Sequence, residues 1–363
     1  MNDETYIKLC IELAKRAVGF VSPNPLVGCV IVKNNKIIGA GFHQKYGDNH
    51  AEVNAINSAK ESLKDSTLYV NLEPCAHFGN TPPCTEVIIK SGIKKVVVGT
   101  VDPNPLVQGN GIKILKQSGI DIKVGVLEKE CYELNKFFFK FIQKKVPFIT
   151  LKIAQTLDGF IADKFYNSKW ISSISSRKIV HSMRAQYDAV LVGVNTANLD
   201  NPLLNVRFGE GRNPIRIVLD TDLKIDKSIK LITKNFDKKT IVFCSEEAKN
   251  NKKNKVKNLM SNGVDVISVD ELKGGLDLNQ IMKILSRKNI TSVLVEGGAR
   301  IFSSFIQKKL WDEINIFIAP KILGKGLTAF SNLGSGKIDD VYEFKNVNIE
   351  KVNNDTLITI SKN

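Results

Sequence analysis

A histidine, a glutamate and two cysteines carry the sharpest chemical signal in this 363-residue chain. His50-Ala51-Glu52 stands where a helix is expected to begin, and Pro74-Cys75 follows an apolar run. Cys84 closes the stretch "EPCAHFGNTPPC", with eight residues between it and Cys75. Imidazole and thiolate are zinc ligands, and catalytic zinc takes three protein ligands while leaving one position for water. One Zn2+ per chain on His50, Cys75 and Cys84 would make that water acidic enough to attack near neutral pH. Glu52 would take its proton and pass it to a departing amine. The cysteine pair alone means little at this spacing, and a disulfide is the other plain reading. However, the N-terminus, "MNDETYIKLC", lacks the basic, apolar and small-residue order of a signal peptide. A cytoplasmic location is therefore the default expectation, and there thiols stay reduced. His77, two residues from Cys75, competes with His50 as a ligand, and His43 reads as a loop or substrate residue. Cys10, Cys29 and Cys131 read as ordinary buried thiols.

These side chains need a frame. Over residues 5–18, Ile7, Cys10, Ala14 and Ala17 recur at helical spacing. "GCVIVK" and "KIIGAGF" flank Asn34-Asn35, a pair that tolerates positive φ, so a two-residue hairpin is expected. A helix from about Ala51, with Ala55, Ile56 and Ala59 inward, puts His50 and Glu52 at its start. "TLYVNL" is a strand running into the cysteine stretch, and "CTEVIIKSG" is a short helix that opens on Cys84 and stops at Gly92. "KKVVVGT", a helix near 111–118, "IDIKVGVL" and a helix near 128–140 complete an α/β half with buried, parallel later strands. Side chains two apart on a helix face different sides. His50 and Glu52 therefore converge only if the site lies off the helix end. Cys84 also begins a helix, where partial positive charge favours a thiolate.

The seam is "FIQKKVPF", where Pro147 ends one helix and "FITLKIA" starts a strand. The second half alternates again: a helix near 174–186, "AVLVGV", "PIRIVLD", "TIVFCS", "VDVISV", a helix near 278–288, "SVLVEGG", a helix to about 308, "EINIFIAP" and "TLITIS". "LKIAQTLDG" runs into an Asp-Gly turn, "SKWIS" sets Trp170 among polar neighbours, and "VGVNTANLDNPLLNVR" reads as a strand followed by a long polar loop. In "SVLVEGGAR" a buried strand ends at Glu296, Gly297-Gly298 turns, and a helix begins. Glycines there let backbone N–H groups approach an anion, although a tight strand–helix turn is the bland alternative. The pattern is not G-x-G-x-x-G, so a Rossmann domain is not supported. Cys244 and His181 are joined by no motif.

Composition narrows the class. With 43% hydrophobic and 25% charged residues the chain is an ordinary globular protein, and no apolar run reaches membrane-spanning length. The net charge of +15 suits a nucleic-acid binder, a protein that attracts phosphorylated small molecules, or lysines spread over solvated faces such as "KNNKKNKVKN".

H-x-E followed by Pro-Cys resembles the zinc nucleobase deaminases, in which the second cysteine normally follows after two residues. Together with "PNPLVG", "HAEVNAI", "EPCAHFGNTPPC" and "DPNPLVQGNG", the chain resembles the bifunctional riboflavin-biosynthesis deaminase–reductases over nearly its whole length, and the long cysteine gap is that family's pattern. The resemblance implies an α/β protein of two domains: a cytidine-deaminase-like three-layer α/β/α domain over 1–144 and a dihydrofolate-reductase-like domain over 147–363. It implies hydrolytic deamination of a diaminopyrimidinone carrying a phosphoribosylamino group, then NADPH-dependent reduction of the ribosyl group to a ribityl chain. Asn24, His43, His77 and Asn104 would line the deaminase pocket. Ala154, Trp170, Thr196, Asp200, Thr221 and the loop and helix Gly297, Gly298, Ala299, Arg300, Ile301, Phe302, Ser303 and Ser304 would contact NADPH. Ser168, Arg184, Leu204, Arg207 and Glu296 would contact substrate, the two arginines on its phosphate, with Lys152 and Asp158 helping to position the sugar. The partners so implied are a phosphorylated pyrimidine and NADPH. No membrane or nucleic-acid partner is expected, and a homo-oligomer is left open. Two rivals stand beside this reading: a zinc deaminase of nucleic-acid bases, and a non-catalytic zinc-stabilised binding protein with His77 as a fourth ligand.

Overall fold

A computed structural model of the chain describes every residue except Met1, residues 77–81, Leu106, Glu210, Asn332, Gly334, Ser335 and Asn363. The chain divides into two compact units, Met1–Lys145 and Val146–Asn363.

The first unit runs α1 (Asp3–Lys15), β1 (Gly28–Lys33), β2 (Lys36–Phe42), α2 (Ala51–Ser58), β3 (Thr67–Leu72), α3 (Cys84–Lys90), β4 (Lys95–Thr100), α4 (Asn110–Gln117), β5 (Asp121–Val124), α5 (Glu128–Leu134) and α6 (Lys136–Lys144). Asn2 caps α1 by accepting the Thr5 amide. Asn34 and Asn35 take φ of 50° and 61° between β1 and β2, the left-handed pair a two-residue hairpin requires. The strands pair in the order β2-β1-β3-β4-β5, the last three parallel. Alternation sends successive strand residues to opposite faces. Cys29, Ile31, Leu68, Val70, Val96 and Val98 pack with Ala51, Ala55, Ile88 and Leu115 of α2, α3 and α4. Val30, Val32, Tyr69 and Val97 pack with Tyr6, Ile7, Cys10 and Cys131 of α1 and α5. The result is three layers. Close contact at the site side depends on Gly41, where a Cβ would lie 2.4 Å from the Ala55 nitrogen, so α2 rests directly on the sheet.

The helix expected near 128–140 is two. Asn135 leaves the helical path (φ −113°, ψ 17°) between α5 and α6. Its buried amide accepts from Leu26 N (2.7 Å) and donates to Leu26 O (2.9 Å). This two-way tie satisfies a buried polar group that a continuous helix would strand.

The second unit runs β6 (Phe148–Thr156), β7 (Phe160–Asp163), α7 (Ile174–Gln186), β8 (Ala189–Gly193), α8 (Val194–Asp200), β9 (Ile215–Leu219), α9 (Lys230–Thr233), β10 (Thr240–Ser245), α10 (Glu246–Asn251), α11 (Lys253–Ser261), β11 (Val264–Val269), β12 (Glu271–Leu272), β13 (Gly275–Leu276), α12 (Leu278–Arg287), β14 (Ser292–Gly297), α13 (Ala299–Gln307), β15 (Glu313–Ala319), β16 (Gly326–Thr328), β17 (Asn346–Val352) and β18 (Asp355–Ser361). Its described residues form a sheet of order β11-β10-β9-β8-β14-β6-β15-β18-β17, parallel through β15 and antiparallel beyond. The chain passes from β6 to β8, winds outward, and returns to insert β14 between them. Loops at the carboxyl ends of these strands therefore part, and such a crevice is where ligands bind in open α/β sheets.

Several elements departed from the sequence reading. Residues 194–200, expected to open a polar loop, form α8, whose one buried residue, Ala197, leaves no apolar stripe to read. The lysine run 249–258, by contrast, follows the reading of solvated faces: it spans α10 and α11, its lysines largely outward and Val256 and Leu259 inward. β17 is exposed along nearly its whole length, so it shows no alternation between apolar and polar faces.

Candidate active sites

The first site forms where two helices begin. His50 is the N-cap of α2, in extended conformation (φ −70°, ψ 164°). Standing outside the helix, it escapes the constraint that would separate it from Glu52, which is buried in the first turn. Cys75 follows β3, and Cys84 is the first residue of α3. His50 Nδ1 lies 3.3 Å from Cys84 Sγ and 3.5 Å from Cys75 Sγ, and the Cys84 backbone N–H donates to Cys75 Sγ at 3.3 Å. The three ligand atoms all fall within 4.8 Å of one another. Tetrahedral zinc at its usual bond lengths sets the nitrogen–sulfur edge at about 3.6 Å, so this donor set fits the metal.

Electrostatics agree. The Cys84 thiol beside Cys75, and then His50, hold the Cys75 thiol far below its ordinary range. Cys84 is pushed up by the Cys75 thiolate and by burial. Deprotonating both thiols therefore needs a further cation between them. Glu52 contacts Cys84; burial first, then the Cys75 charge, raise its carboxyl to about 7, a value suited to both taking and giving a proton near neutrality. Removing a ligand tests the donor set directly. Cys84→Ala is expected to lower bound zinc from about one per chain to a small residue, measured by elemental analysis of the folded protein. Full retention of zinc would exclude Cys84 as a ligand.

His43 is not a loop residue at large. It is buried, with its ring edge-on to His50 at 5.5 Å between centroids. Its Nδ1–H donates to the Asn49 carbonyl (3.0 Å), which leaves Nε2 to accept from Asn24 Nδ2 (3.1 Å). Burial and the neighbouring His50 hold its pKa down, consistent with a neutral ring. Asn104 follows β4 in a turn where its amide donates to Asp102 Oδ1. His77 lies outside the described residues. Cys10, Cys29 and Cys131 are buried in the core, as ordinary thiols would be.

The second unit contains a cavity of about 1270 Å³ at the carboxyl ends of the parallel strands. Ala154, Trp170, Thr196, Asp200 and Thr221 line it, as do Gly297, Gly298, Ala299, Arg300, Ile301, Phe302 and Ser304. Lys152, Ser168, Arg184, Leu204, Arg207 and Glu296 line it too. Gly298 takes a φ of 95°, and a Cβ on Gly297 would lie 3.0 Å from Thr196 Cγ2, so the Gly-Gly turn is pressed against α8. Trp170 is exposed and stacks over Arg177 at 4.2 Å.

Three of the expected contact residues have partners of their own within the protein. Ser303 does not line the cavity: its hydroxyl donates to Ala299 O and accepts from Ser331 N. Asp158 does not line it either; its carboxylate receives Thr156 Oγ1 and the amides of Leu323 and Gly324, pinning a neighbouring loop. Arg184 lines the cavity and is paired with a carboxylate. Its Nε and Nη2 form a bidentate pair with Glu296 at 2.5 and 2.7 Å, nearly out of solvent. The Arg207 side chain, like that of Arg300, lines the cavity with no hydrogen-bond partner among the described residues, and the Arg207 backbone N–H donates to His181 Nδ1 (3.0 Å). His181, which no motif marked, thus orients the Arg207 segment. Burial, then Arg184 and Arg207, depress its pKa to about 4, so it is a neutral acceptor at ordinary pH.

A candidate zinc-ligand triad beside a buried carboxylate in an α/β/α unit, followed by an α/β unit with a large crevice, fits an enzyme that couples a zinc deaminase domain to a reductase domain. The sequence comparisons agree. Residues 1–100 match the cytidine and deoxycytidylate deaminase zinc-binding region, and residues 147–358 match the RibD C-terminal domain. The chain belongs to the RibD family of bifunctional riboflavin-biosynthesis enzymes, cytidine-deaminase-like in its first domain and dihydrofolate-reductase-like in its second. It is 46% identical over 357 residues to the riboflavin biosynthesis protein RibD of Aquifex aeolicus (strain VF5), covering 98% of this chain and 97% of that one. It is 37% identical over 372 residues to that of Escherichia coli (strain K12), covering 99% of each. Among solved structures it is similar to the diaminohydroxyphosphoribosylaminopyrimidine deaminase/5-amino-6-(5-phosphoribosylamino)uracil reductase of Thermotoga maritima, with 43% identity, a TM-score of 0.89 and coverage of 99% and 98%. It is also similar to Acinetobacter baumannii RibD, with 35% identity and a TM-score of 0.87 over the same shares.

Proposed function

We propose that residues 1–144 deaminate 2,5-diamino-6-(5-phosphoribosylamino)pyrimidin-4-one to 5-amino-6-(5-phosphoribosylamino)uracil, and that residues 147–363 reduce the ribosyl group of that product to a ribityl chain. The observation that carries the reading is the convergence of His50, Cys75 and Cys84 beside the buried Glu52. His50, Cys75 and Cys84 hold zinc, which when bound supplies an acidified water as nucleophile. Glu52 accepts that water's proton and delivers it to the leaving ring amine. The neutral His43 ring fixes the Asn24 amide through its Nδ2, so the Asn24 oxygen is presented to a donor on the pyrimidine. Asn104 and His77 complete that pocket.

In the second domain NADPH, when bound, supplies the hydride. Ala154, Trp170, Thr196, Asp200, Thr221 and the Gly297–Ser304 segment cradle it, Ser303 from behind through its bond to Ser331. Ser168, Leu204 and Arg207 take the substrate, Arg207 on its phosphate, since a fork of donors suits that group. The Arg184–Glu296 pair and Lys152 form a preorganised polar floor. Asp158 acts through the loop it pins. The partners are then small phosphorylated molecules and not nucleic acid, and the location is the cytoplasm. Among the described residues no helix is long and apolar enough to cross a membrane.

Product analysis with the phosphoribosylaminopyrimidine decides the matter. Deaminated product without NADPH and ribityl product with it are expected, whereas inosine or uracil formed in tRNA or single-stranded DNA would favour the nucleic-acid reading. Arg207→Ala is expected to raise the KM for the phosphorylated substrate by about 10-fold or more, with that for NADPH changed little. Equal effects on both would remove Arg207 from the phosphate.

A further inference from the structure

Glu73 follows β3 and leads into Pro74-Cys75, yet it takes no part in the chemistry assigned above. It is 3% exposed, and both of its carboxylate oxygens are committed to backbone amides of one distant segment. Oε2 accepts from Asp102 N (3.2 Å) and Gly109 N (3.0 Å). Oε1 accepts from Gly111 N (3.0 Å) and Ile112 N (3.2 Å). The first two donors are the two ends of the turn that carries Asn104. The last two lie in the first turn of α4, whose own N-cap, Gly109, has no side chain to satisfy them. One carboxylate thus closes the turn and caps the helix that follows. Glycine is needed at 111, because a Cβ there would sit 2.1 Å from the Pro74 carbonyl oxygen. Within the turn, Val107 N and Gln108 N both donate to Asn104 O at 2.8 Å, and Asn104 N donates to Asp102 Oδ1 at 2.8 Å. The turn is internally braced and is anchored, through Glu73, to the segment that supplies a zinc ligand.

We infer that Glu73 is a positioning residue for deamination: it holds the Asp102–Gly109 turn, and with it Asn104, in register with Cys75. This rests on the reading of the first site as a zinc deaminase with Asn104 in its pocket. A carboxylate offers about four acceptor positions and no donor. Glutamine keeps one oxygen and turns an NH2 towards two backbone N–H groups, so Glu73→Gln opposes donor to donor at one end of the clamp.

The test uses the full chain and three readouts. In Glu73→Gln the KM for the phosphoribosylaminopyrimidine is expected to rise roughly 10- to 100-fold, with bound zinc unchanged and reductase kcat unchanged. Gly111→Ala, which leaves the carboxylate in place but drives a Cβ into the Pro74 carbonyl, is expected to give a change in the same direction. In the wild-type chain the amides of Gly109, Gly111 and Ile112 are expected to exchange with solvent as slowly as those of Val96–Val98, and in Glu73→Gln at least ~10-fold faster. An unchanged KM in Glu73→Gln overturns the inference. Loss of zinc in that variant overturns it too, because Glu73 would then serve the ligand turn and not the substrate turn. Unprotected amides in the wild-type chain overturn it even if the variant does not fold. A wild-type chain that binds no zinc and releases no ammonia sinks the underlying deaminase reading instead. Asn104→Ala with normal KM and kcat removes Asn104 from the pocket, separately from the anchor.

Discussion

Glu52→Gln is expected to lower deamination by about three orders of magnitude while zinc stays bound and the reductase is untouched. Glutamine has the shape of glutamate and can occupy the same buried space, but it cannot carry a proton from water to a leaving amine. Burial raises the Glu52 carboxyl to about 7, so the native side chain is held where its charged form is disfavoured. The neutral isostere removes that penalty, and the first domain should melt at the same temperature or higher. Loss of activity without loss of stability is the pattern of a residue kept for chemistry. Ammonia release, zinc content and thermal melting on one preparation check it. A variant that keeps more than a tenth of wild-type deamination would falsify the role of Glu52 as proton carrier.

Glu296→Ala is expected to have the largest effect on the second domain. Glu296 pairs bidentately with Arg184, and the half-buried Lys152 of the cavity wall acts on it as a second cation. Burial alone would raise the Glu296 carboxyl, but Arg184 above all, and then Lys152, outweigh it and hold the pKa below the ordinary range. Lys152 is already depressed by burial and by Arg184, with Glu296 the opposing influence. Deleting the carboxylate leaves two cations on the poorly solvated floor of the cavity. Breaking a buried pair in this way costs about 3–5 kcal/mol, a fall in melting temperature of roughly 10 °C for a domain of this size, and reductase activity should be lost with it. Removing Arg184 as well, as Met, should recover part of the stability, because the stranded charge goes too. Melting curves of the two single variants and the double variant measure the coupling; simple additivity would show that the pair contributes nothing.

These expectations draw unequally on the sequence. His50, Glu52, Cys75 and Cys84 could be picked out because zinc chemistry accepts few residue types, and their order along the chain is itself a pattern. The alternating core was legible for the same kind of reason: Cys29 and Ile31 face one layer while Val30 and Val32 face the other, which is a period-two signal. Short or solvated elements were not, as with α8, which buries a single alanine, and β17, which buries almost nothing. The partners of polar side chains were illegible too. Nothing local says that Asn135 ties to Leu26, that His43 is buried between Asn24 and Asn49, or that Asp158 serves a loop some 165 residues away.

What the sequence determined by itself is the inventory: which atoms could bind zinc, move a proton or grip a phosphate, and which strands and helices could carry them. Only the tertiary structure decided how that inventory is spent. It placed His50 outside its helix so that it meets both thiols, and it paired Arg184 with Glu296, 112 residues away. It also committed both carboxylate oxygens of Glu73 to the amides of one turn and of the helix that follows it. The physical reason is common to all three. A buried charge or polar group must find partners, the choice among them is made by three-dimensional proximity, and proximity between residues far apart in the chain leaves no local pattern to read.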